Sequence, residues 1–350
     1  MSHPYASLPD RAYWRTGVAQ YNPLELQDLY RKRFDISPTD RVACAGSCFA
    51  QHIGRQLRRR GFNYLDMEPA PAALAEDRHL SFGYGMYSAR FGNIYTARQM
   101  LQLYKQAFGL FAPATGVWKQ ADRRFFDPLR PSIEPNGFGS AREAQVLRDT
   151  QHLPAVKRMF QKANVLVFTL GLTEAWMDAA DGTVYPVCPG TVAGEFDARK
   201  HVFKNFRFGE ILADMTELIE ALKGVNPTLR ILLTVSPVPL TATAAGHHVL
   251  AATTYSKSVL RAVAGELYET YDHIDYFPSY EIVTAPSNRG MFFRPNMREV
   301  APAGVDYVMT HFFGQHPAPE TAGAPPAPAP ARKEAADVAC DEEKLELVRA

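Results

Sequence analysis

The sequence predicts an α/β protein, a three-layer α/β/α sandwich with a parallel sheet and a helical and loop insertion. Short apolar runs recur at long intervals, and segments with helical periodicity lie between them. Runs that are apolar throughout are typical of strands covered on both faces, and alternation of strands with helices favours a parallel sheet. With 46% hydrophobic residues in 350, the chain can bury a large core.

Four apolar runs are predicted strands, and four periodic segments are predicted helices. The strands are 41–45, 165–170, 230–235 and 274–277. The helices are 49–60, 96–108, 210–223 and 256–268. The first helix ends in three arginines before Gly61, which suits the negative end of the helix dipole.

Composition divides the chain into three parts. We expect residues 1–316 to form one α/β domain, in which about 67–151 is an insertion or lid and 178–205 contains a hairpin. Residues 317–331 contain six Pro and six Ala, which predicts an extended linker. The charged tail, 332–350, could form a short helix and dock a protein partner.

Charge and cysteine content narrow the classes of ligand and site that the protein can have. The formal net charge is +1, which argues against a nucleic-acid partner and leaves small molecules or glycans. Cysteines occupy positions 44, 48, 188 and 340, a spacing that predicts neither a metal site nor a disulfide framework. No apolar run approaches the roughly 18 residues of a membrane span. The first ten residues lack signal-peptide features, so we expect a cytoplasmic protein.

The turn Gly46-Ser47-Cys48-Phe49-Ala50 joins the first predicted strand to the first predicted helix. Such a turn places a small polar side chain at the carboxyl edge of a sheet, where the first amides of the helix can hold negative charge. Ser47 and Cys48 are candidate nucleophiles, and the layout suits chemistry on acyl groups. The alternative is an ordinary turn with an inert, buried cysteine.

A second polar group follows the strand 165–170. Gly171 would allow close approach of a ligand, Thr173 offers a hydroxyl and Glu174 a charge. The alternative is a helix start, with Thr173 as N-cap and Glu174 in the first turn. The two interpretations are compatible and both stay open.

The Gly-rich stretch 83–95 predicts a pocket wall, in which Asn93 beside Gly92 could donate its amide to an oxyanion. A loop packed by its own aromatic residues is the alternative. No general base stands out among the ten histidines, and a structural role is the alternative for each of them.

The turn, together with Thr169-Leu170-Gly171, Ser236-Pro237-Val238 and the block 276–281, resembles the GSCFA family over about residues 20–314. Its members look like SGNH-type (GDSL-like) hydrolases and acyltransferases. The resemblance implies acyl-ester chemistry, by an O-acyltransferase or esterase acting on a carbohydrate-like hydroxylated substrate. It implies no required cofactor, with acyl-CoA as the donor if the protein is a transferase.

The resemblance also implies roles for single residues. The superfamily's first block, Gly-Asp-Ser, falls on Gly46, Ser47 and Cys48, which favours Cys48 as nucleophile and leaves Ser47 as second choice. Its Gly-x-Asn block falls on Gly171-Leu172-Thr173, where Thr173 replaces the Asn. Asn93 and Gly92 would then supply the remaining oxyanion donors.

The closing Asp-x-x-His block of the superfamily is changed in this chain. Asn296 stands in the place of the Asp and Glu299 in the place of the His. Asn cannot balance an imidazolium, and Glu is a weak base unless burial raises its pKa, so the triad does not carry over.

Other side chains would therefore have to move protons. We expect His79 or His248 as the base, with Glu174 or Glu299 to orient it, and Arg90 as a phosphate contact of a thioester donor. The changed closing block also supports a rival hypothesis. In it, the protein is a non-catalytic module that binds a glycan or a nucleotide-linked ligand.

Overall fold

A computed structural model describes residues 3–120, 122–318, 341 and 345. The strands are β1 (Val42–Gly46), β2 (Trp118–Lys119), β3 (Phe125–Phe126), β4 (Val165–Leu170), β5 (Glu174–Asp178), β6 (Val184–Tyr185), β7 (His201–Asn205), β8 (Arg230–Val235) and β9 (Ile274–Tyr276). The α-helices are α1 (Phe49–Arg59), α2 (Ala97–Ala107), α3 (Ala141–Leu147), α4 (Leu153–Lys162), α5 (Phe208–Val225), α6 (Val249–Thr270), α7 (Ser279–Thr284) and α8 (Pro302–Gln315).

The central sheet is parallel, with the order β1-β4-β8-β9. On the edge of β1 that faces away from β4, Tyr64 makes a parallel bridge to Val42. The chain therefore first adds an extended residue on one side of β1 and later places β4 on the other side. The connections therefore change direction between β1 and β4. In sheets of this kind the ligand cleft opens at that point, outside the carboxyl ends of the strands.

Side chains of the central strands alternate between two cores, one on each face of the sheet. Ala43 and Ala45 face a core built with α2, α4, α5 and α6. Val42 and Cys44 face a second core, built with α1, α7 and α8. Burial on both faces explains why the strands read as unbroken apolar runs. The predicted three-layer α/β/α class is confirmed.

Helix starts follow side-chain caps as well as apolar periodicity. Thr96 caps α2 by accepting a hydrogen bond from the amide of Gln99 at 3.2 Å. Helix α6 begins seven residues before the predicted start at 256, because Nδ1 of His248 accepts from the amide of Leu250 at 3.1 Å. Its first turns are largely exposed, so they carry no apolar pattern from which the start could be predicted.

The helix start considered at Thr173 and Glu174 does not form. Glu174 instead begins β5, the central strand of a three-stranded antiparallel sheet with the order β6-β5-β7. The carbonyl of Thr173 accepts from the amide of Phe206 at 2.8 Å, which extends the pairing of β5 with β7. Pairing with a distant strand therefore decides the conformation here.

Segment 67–151 contributes α2 to the first core through buried residues such as Met100 and Leu101. Its role as a lid stays a prediction. The predicted linker 317–331 lies outside the described residues from 319 onward, as does the tail 332–350 except for Asp341 and Leu345. Within the described part of the chain, no helix is long and apolar enough to span a membrane.

Candidate active site

The turn after β1 can be made only by glycine at its first position. Gly46 has a φ of 135°, which side chains with a Cβ rarely adopt. A Cβ at this position would lie 2.4 Å from the carbonyl oxygen of Thr169 in β4. Gly46 thus lets the chain pass close to β4 and enter α1 at the point where the sheet connections reverse.

Ser47 and Cys48 occupy different environments in this turn. The amide of Ser47 donates to the carbonyl of Thr169 at 3.2 Å, and its buried hydroxyl has no hydrogen-bond partner among the described residues. Cys48 is the N-cap of α1 and is 5% exposed. Of the amides that open α1, those of Ala50 and Gln51 already donate to the carbonyls of Ser47 at 2.9 Å and Cys48 at 3.1 Å. The preference for Cys48 over Ser47 as nucleophile stays a prediction.

Asn93 lies against both ends of the turn. The amide of Ile94 donates to the carbonyl of Gly46 at 2.9 Å. From α1, the Gln51 side chain donates to Oδ1 of Asn93 at 3.4 Å, and the Tyr87 hydroxyl donates to the same oxygen. Two donors on one oxygen fix the orientation of the Asn93 amide, because its Nδ2 must then face away from them.

Nδ2 of Asn93 donates to the carboxylate of Asp341 at 2.8 Å. We call Gln51, Tyr87, Asn93 and Asp341 the Asn93 cluster. Asn93 and Gln51 are 1% exposed, so the amide is aimed before any ligand arrives. A fixed N–H donor that holds an anionic oxygen is the group that acyl transfer needs for a developing oxyanion.

Gly171 allows close packing within the protein, since a Cβ there would lie 2.9 Å from the Cβ of Ser47. Its amide donates to the carbonyl of Tyr95 at 3.1 Å, so this N–H is engaged. Its carbonyl accepts from Nζ of Lys257 at 2.7 Å, and Lys257 is 1% exposed. The sequence did not predict a role for Lys257, since a lysine between two serines in a helix is typical of an exposed face.

Thr173 is fully buried, and its hydroxyl donates to Oδ1 of Asn205 at 2.7 Å. Its amide donates to the hydroxyl of Ser256 at 3.0 Å. The side chain therefore joins β5 to β7, and a role for Thr173 as oxyanion donor stays a prediction. Gly92 directly precedes Asn93 in a left-handed conformation, which turns the chain toward β1.

An apolar pocket of about 230 Å³ adjoins the Asn93 cluster. Gln99 connects the two, because it lines the pocket and donates from Nε2 to the carbonyl of Asn93 at 2.9 Å. The remaining lining is Tyr95, Thr96, Leu172, Glu174, Ala175, Trp176, Tyr185, Pro186, Val187, Cys188, Thr191, Phe203, Leu240, Ala242, Thr243, Ala244 and Leu345.

Glu174 is the acidic side chain of this pocket. Burial raises the pKa of its carboxyl, although hydrogen bonds from the Thr243 hydroxyl, at 2.7 Å, and from the amide of Ala244 act in the opposite direction. A carboxyl with a raised pKa in an apolar cleft is suited to proton transfer.

The two histidines expected as bases are held by their own segments. Nε2 of His79 lies 2.9 Å from the carbonyl oxygen of Leu74, five residues earlier. His248 is exposed and uses Nδ1 to cap α6. His52 lies on α1, where burial and the charges of Arg55 and Arg294 lower its pKa to about 4. The structure therefore gives no positive support to either expected base.

Asn296 and Glu299, at the positions of the superfamily's closing block, bind each other. Nδ2 of Asn296 donates to Oε1 of Glu299 at 2.5 Å, and Oδ1 accepts from the amides of Arg298 and Glu299. Arg294 lies 3.3 Å from the other oxygen of Glu299. These contacts close the loop on itself.

Arg90 is likewise engaged within its own loops. Its guanidinium pairs with Glu134 at 2.7 Å, donates to the carbonyls of Phe82 and Ile133, and stacks on Tyr84. In this position it joins segments of the protein and is not presented to a phosphate.

A second buried polar group was not predicted from the sequence. We call Glu68, Arg90, Asp127, Arg130 and His152 the Glu68 cluster. Nδ1 of His152 lies 2.7 Å from Glu68, whose carboxylate also accepts from the amide of Arg90 at 2.7 Å. Arg130 pairs with Asp127 at 2.9 Å and donates to the carbonyl of Arg90.

Burial and neighbouring charges shift the pKa values of two members of the Glu68 cluster. Burial alone would raise the pKa of Glu68, but the charges of His152 and Arg130, with hydrogen bonds from His152 and the Arg90 amide, lower it to about 2. Burial and Arg130 lower the pKa of His152, against the opposing effect of Glu68. Across the described residues, no group of His, Cys, Asp and Glu is arranged to hold a metal ion.

Comparison with known proteins gives a family and a structural similarity. No curated protein matches the chain. A carbohydrate esterase family 3 structure from Talaromyces cellulolyticus aligns at 12% identity and a TM-score of 0.27, covering 63% of this chain and 89% of that one. The GSCFA family matches residues 41–312, a span that starts just before β1 and ends within α8. That span covers most of the chain, including the central sheet, the Gly46–Ala50 turn and Asn93, so the chain belongs to the GSCFA family.

Proposed function

We propose that this protein carries out acyl-ester chemistry, as an O-acyltransferase or an esterase acting on a hydroxylated, carbohydrate-like substrate. The observation that carries the proposal is the Asn93 amide, fixed beside the Gly46–Ala50 turn and bound to a carboxylate oxygen. It supplies the oxyanion donor next to the turn that bears two nucleophile candidates. This arrangement is the one expected of an SGNH-like enzyme.

In the proposed reaction Cys48 is the nucleophile. Its sulfur attacks the acyl carbonyl, and Asn93 Nδ2 stabilises the negative oxygen. Glu174 takes the Cys48 proton and returns it to the donor's alcohol or thiol, which leaves as the intermediate collapses to an acyl thioester on Cys48. Water or an acceptor hydroxyl then attacks the thioester and gives its proton to Glu174, which passes it to the Cys48 sulfur as the acid or new ester is released. A thiol depends less on a strong base than a hydroxyl does, which fits a site without the superfamily's closing histidine.

A transferase would take its acyl group from a thioester such as acyl-CoA, and the apolar pocket would hold the acyl chain. The rival function is a binding module that retains the fold without turnover. The pairing of Asn296 with Glu299 favours the rival, because it closes the loop where the superfamily keeps its base.

The test compares Cys48→Ala with Ser47→Ala on a generic acyl ester and on an acyl-CoA. We expect Cys48→Ala to lose at least about 10³-fold in turnover, as nucleophile variants do, and Ser47→Ala to lose far less. Cys44→Ala is the matched control. This thiol lies in the second core, and burial raises its pKa to about 12, so the variant should lose stability and keep its turnover per folded molecule.

The result that contradicts the assignment is equal turnover of Cys48→Ala and the parent. If the parent shows no turnover on any acyl donor and still binds a glycan or acyl-CoA, the rival function is correct.

A further inference from the structure

We propose that Asp341 and Leu345 occupy the candidate active site, so that the cleft binds this chain's own C-terminal segment through an acidic and an aliphatic side chain. The claim that this segment competes with substrate rests on the proposed function. The binding of the segment in the cleft does not depend on the proposed function.

Asp341 supplies the first contact. Asp341 is 7% exposed, and its carboxylate accepts from Asn93 Nδ2 at 2.8 Å, across 248 residues of sequence. A carboxylate withdrawn from water costs free energy unless a donor compensates it. The Asn93 amide is a suitable donor, because Gln51 and Tyr87 already fix its direction.

Leu345 supplies the second contact, four residues later in the sequence. It lines the apolar pocket together with residues such as Leu172, Trp176 and Leu240. Its contact removes aliphatic surface from water, which favours binding.

The two contacts lie in one continuous site. Gln99 donates to the carbonyl of Asn93 and also lines the pocket that Leu345 lines. One end of the site thus takes an anionic oxygen and the other takes an aliphatic group. The ligand class that competes with the segment is a molecule that joins a carboxylate or acyl oxygen to an aliphatic chain.

The experiment measures alkylation of Cys48 by iodoacetamide in the full-length protein, read by mass spectrometry of the peptide that contains it. The variant is Asp341→Ala with Leu345→Ala. Because Cys48 is 5% exposed in the turn that adjoins the Asn93 cluster, we expect its alkylation to become about tenfold faster or more in this variant. A cysteine-containing synthetic peptide added to the same sample gives the reference rate, because Cys188 itself lines the pocket that Leu345 contacts.

Asp272→Ala with Leu110→Ala is the matched control, since both side chains are exposed elsewhere on the surface. Its Cys48 rate should equal that of the parent. A synthetic peptide of residues 332–350, added to the double variant, should slow alkylation again, and the same peptide with Leu345→Ala should not. Octanoate, which joins a carboxylate to an aliphatic chain, should also protect Cys48 in the double variant.

Equal Cys48 rates in parent, double variant and control, with no protection by the peptide, would overturn the inference. If the double variant does not fold, as judged by circular dichroism, Asp341→Lys alone provides the test and should also speed alkylation. Alkylation requires no turnover. A protein that passes this test and hydrolyses no ester contradicts the proposed function alone, and one that hydrolyses esters with unchanged alkylation contradicts the inference alone.

Discussion

The Asn93 cluster and the Glu68 cluster are both buried polar groups, but different kinds of partner satisfy their hydrogen bonds. In the Glu68 cluster the polar groups bind one another, since His152 contacts Glu68 and Arg130 pairs with Asp127. In the Asn93 cluster, Gln51 and Tyr87 satisfy one atom of the amide and direct the other toward Asp341, far away in the sequence.

This difference separates a structural network from a candidate binding site. A network that satisfies itself stabilises the fold and has no donor left for a ligand. A donor that its neighbours orient, and that a distant segment meets, is available for exchange with another molecule. The following variants test whether the two clusters differ in this way.

The largest effect should come from Gly46→Ala, which disrupts the turn beside the Asn93 cluster. A Cβ there would lie 2.4 Å from the Thr169 carbonyl, so we expect a loss of at least about 3 kcal/mol in the free energy of unfolding, measured by urea denaturation. Gly109→Ala is the control, because Gly109 also has a positive φ but no atom near a Cβ. Its cost should be about 1–2 kcal/mol. Equal costs would show that the close approach to β4 is not essential.

Next is Asn93→Ala, which removes the donor and leaves the turn intact. We expect turnover to fall about 10²–10³-fold, the loss seen when one oxyanion donor is removed. Asn226→Ala is the matched control, because Asn226 is a buried amide that donates to the carbonyls of Phe160 and Ala163. It should lose stability without loss of turnover per folded molecule. If the two variants lose turnover equally, the Asn93 cluster has no special role.

Glu68→Gln should affect stability and its pH dependence but not turnover. The folded-state pKa of Glu68 is about 2, below its value of 4.5 in the unfolded chain, so its contribution is complete above pH 4.5 and is lost as pH falls toward 2. We expect the variant to lose about 1–3 kcal/mol at pH 7 and to unfold with weaker acid dependence. Thermal unfolding between pH 2 and 7 measures this.

A parent-like acid dependence in Glu68→Gln would contradict the closed-network interpretation. A large loss of turnover in this variant would contradict it as well, since the Glu68 cluster would then take part in the reaction.

Thr243→Val should have the smallest effect. The hydroxyl of Thr243 opposes the rise that burial causes in the pKa of Glu174, so its removal should raise that pKa further. The acid limb of the pH–rate profile should then move to higher pH. Thr254→Val, which removes a hydroxyl from an exposed position on α6, should leave the profile unchanged. An unshifted limb in Thr243→Val would exclude Glu174 as the titrating group.

Much of the fold could be predicted from the sequence because local patterns determine it. The strands 165–170 and 230–235 read as unbroken apolar runs since both faces are covered, and the structure has them at those residues. The start of α6 could not be predicted, because its first turns lie on the surface. At Glu174, pairing with a strand almost thirty residues later overrides the local helix signal.

The candidate site could be located in part. Its turn carries a local signature, and a sheet edge is where a site is expected. The contact between Asn93 and Asp341, and the approach of Lys257 to Gly171, depend on segments more than eighty residues apart, for which the sequence contains no spacing rule. From the sequence, the hydroxyl of Thr173 was expected to be available to a ligand, because its hydrogen-bond partner, Asn205, lies on another strand.

The central claim is tested most directly by looking for the acyl group on the protein. The enzyme is mixed with an acyl donor, quenched in acid within its first turnovers, digested and examined by mass spectrometry. We predict the mass of the acyl group on Cys48, removable by neutral hydroxylamine as a thioester is, and absent in Cys48→Ala. Acylation of Ser47 instead, or rapid turnover with an unmodified Cys48, would contradict the account.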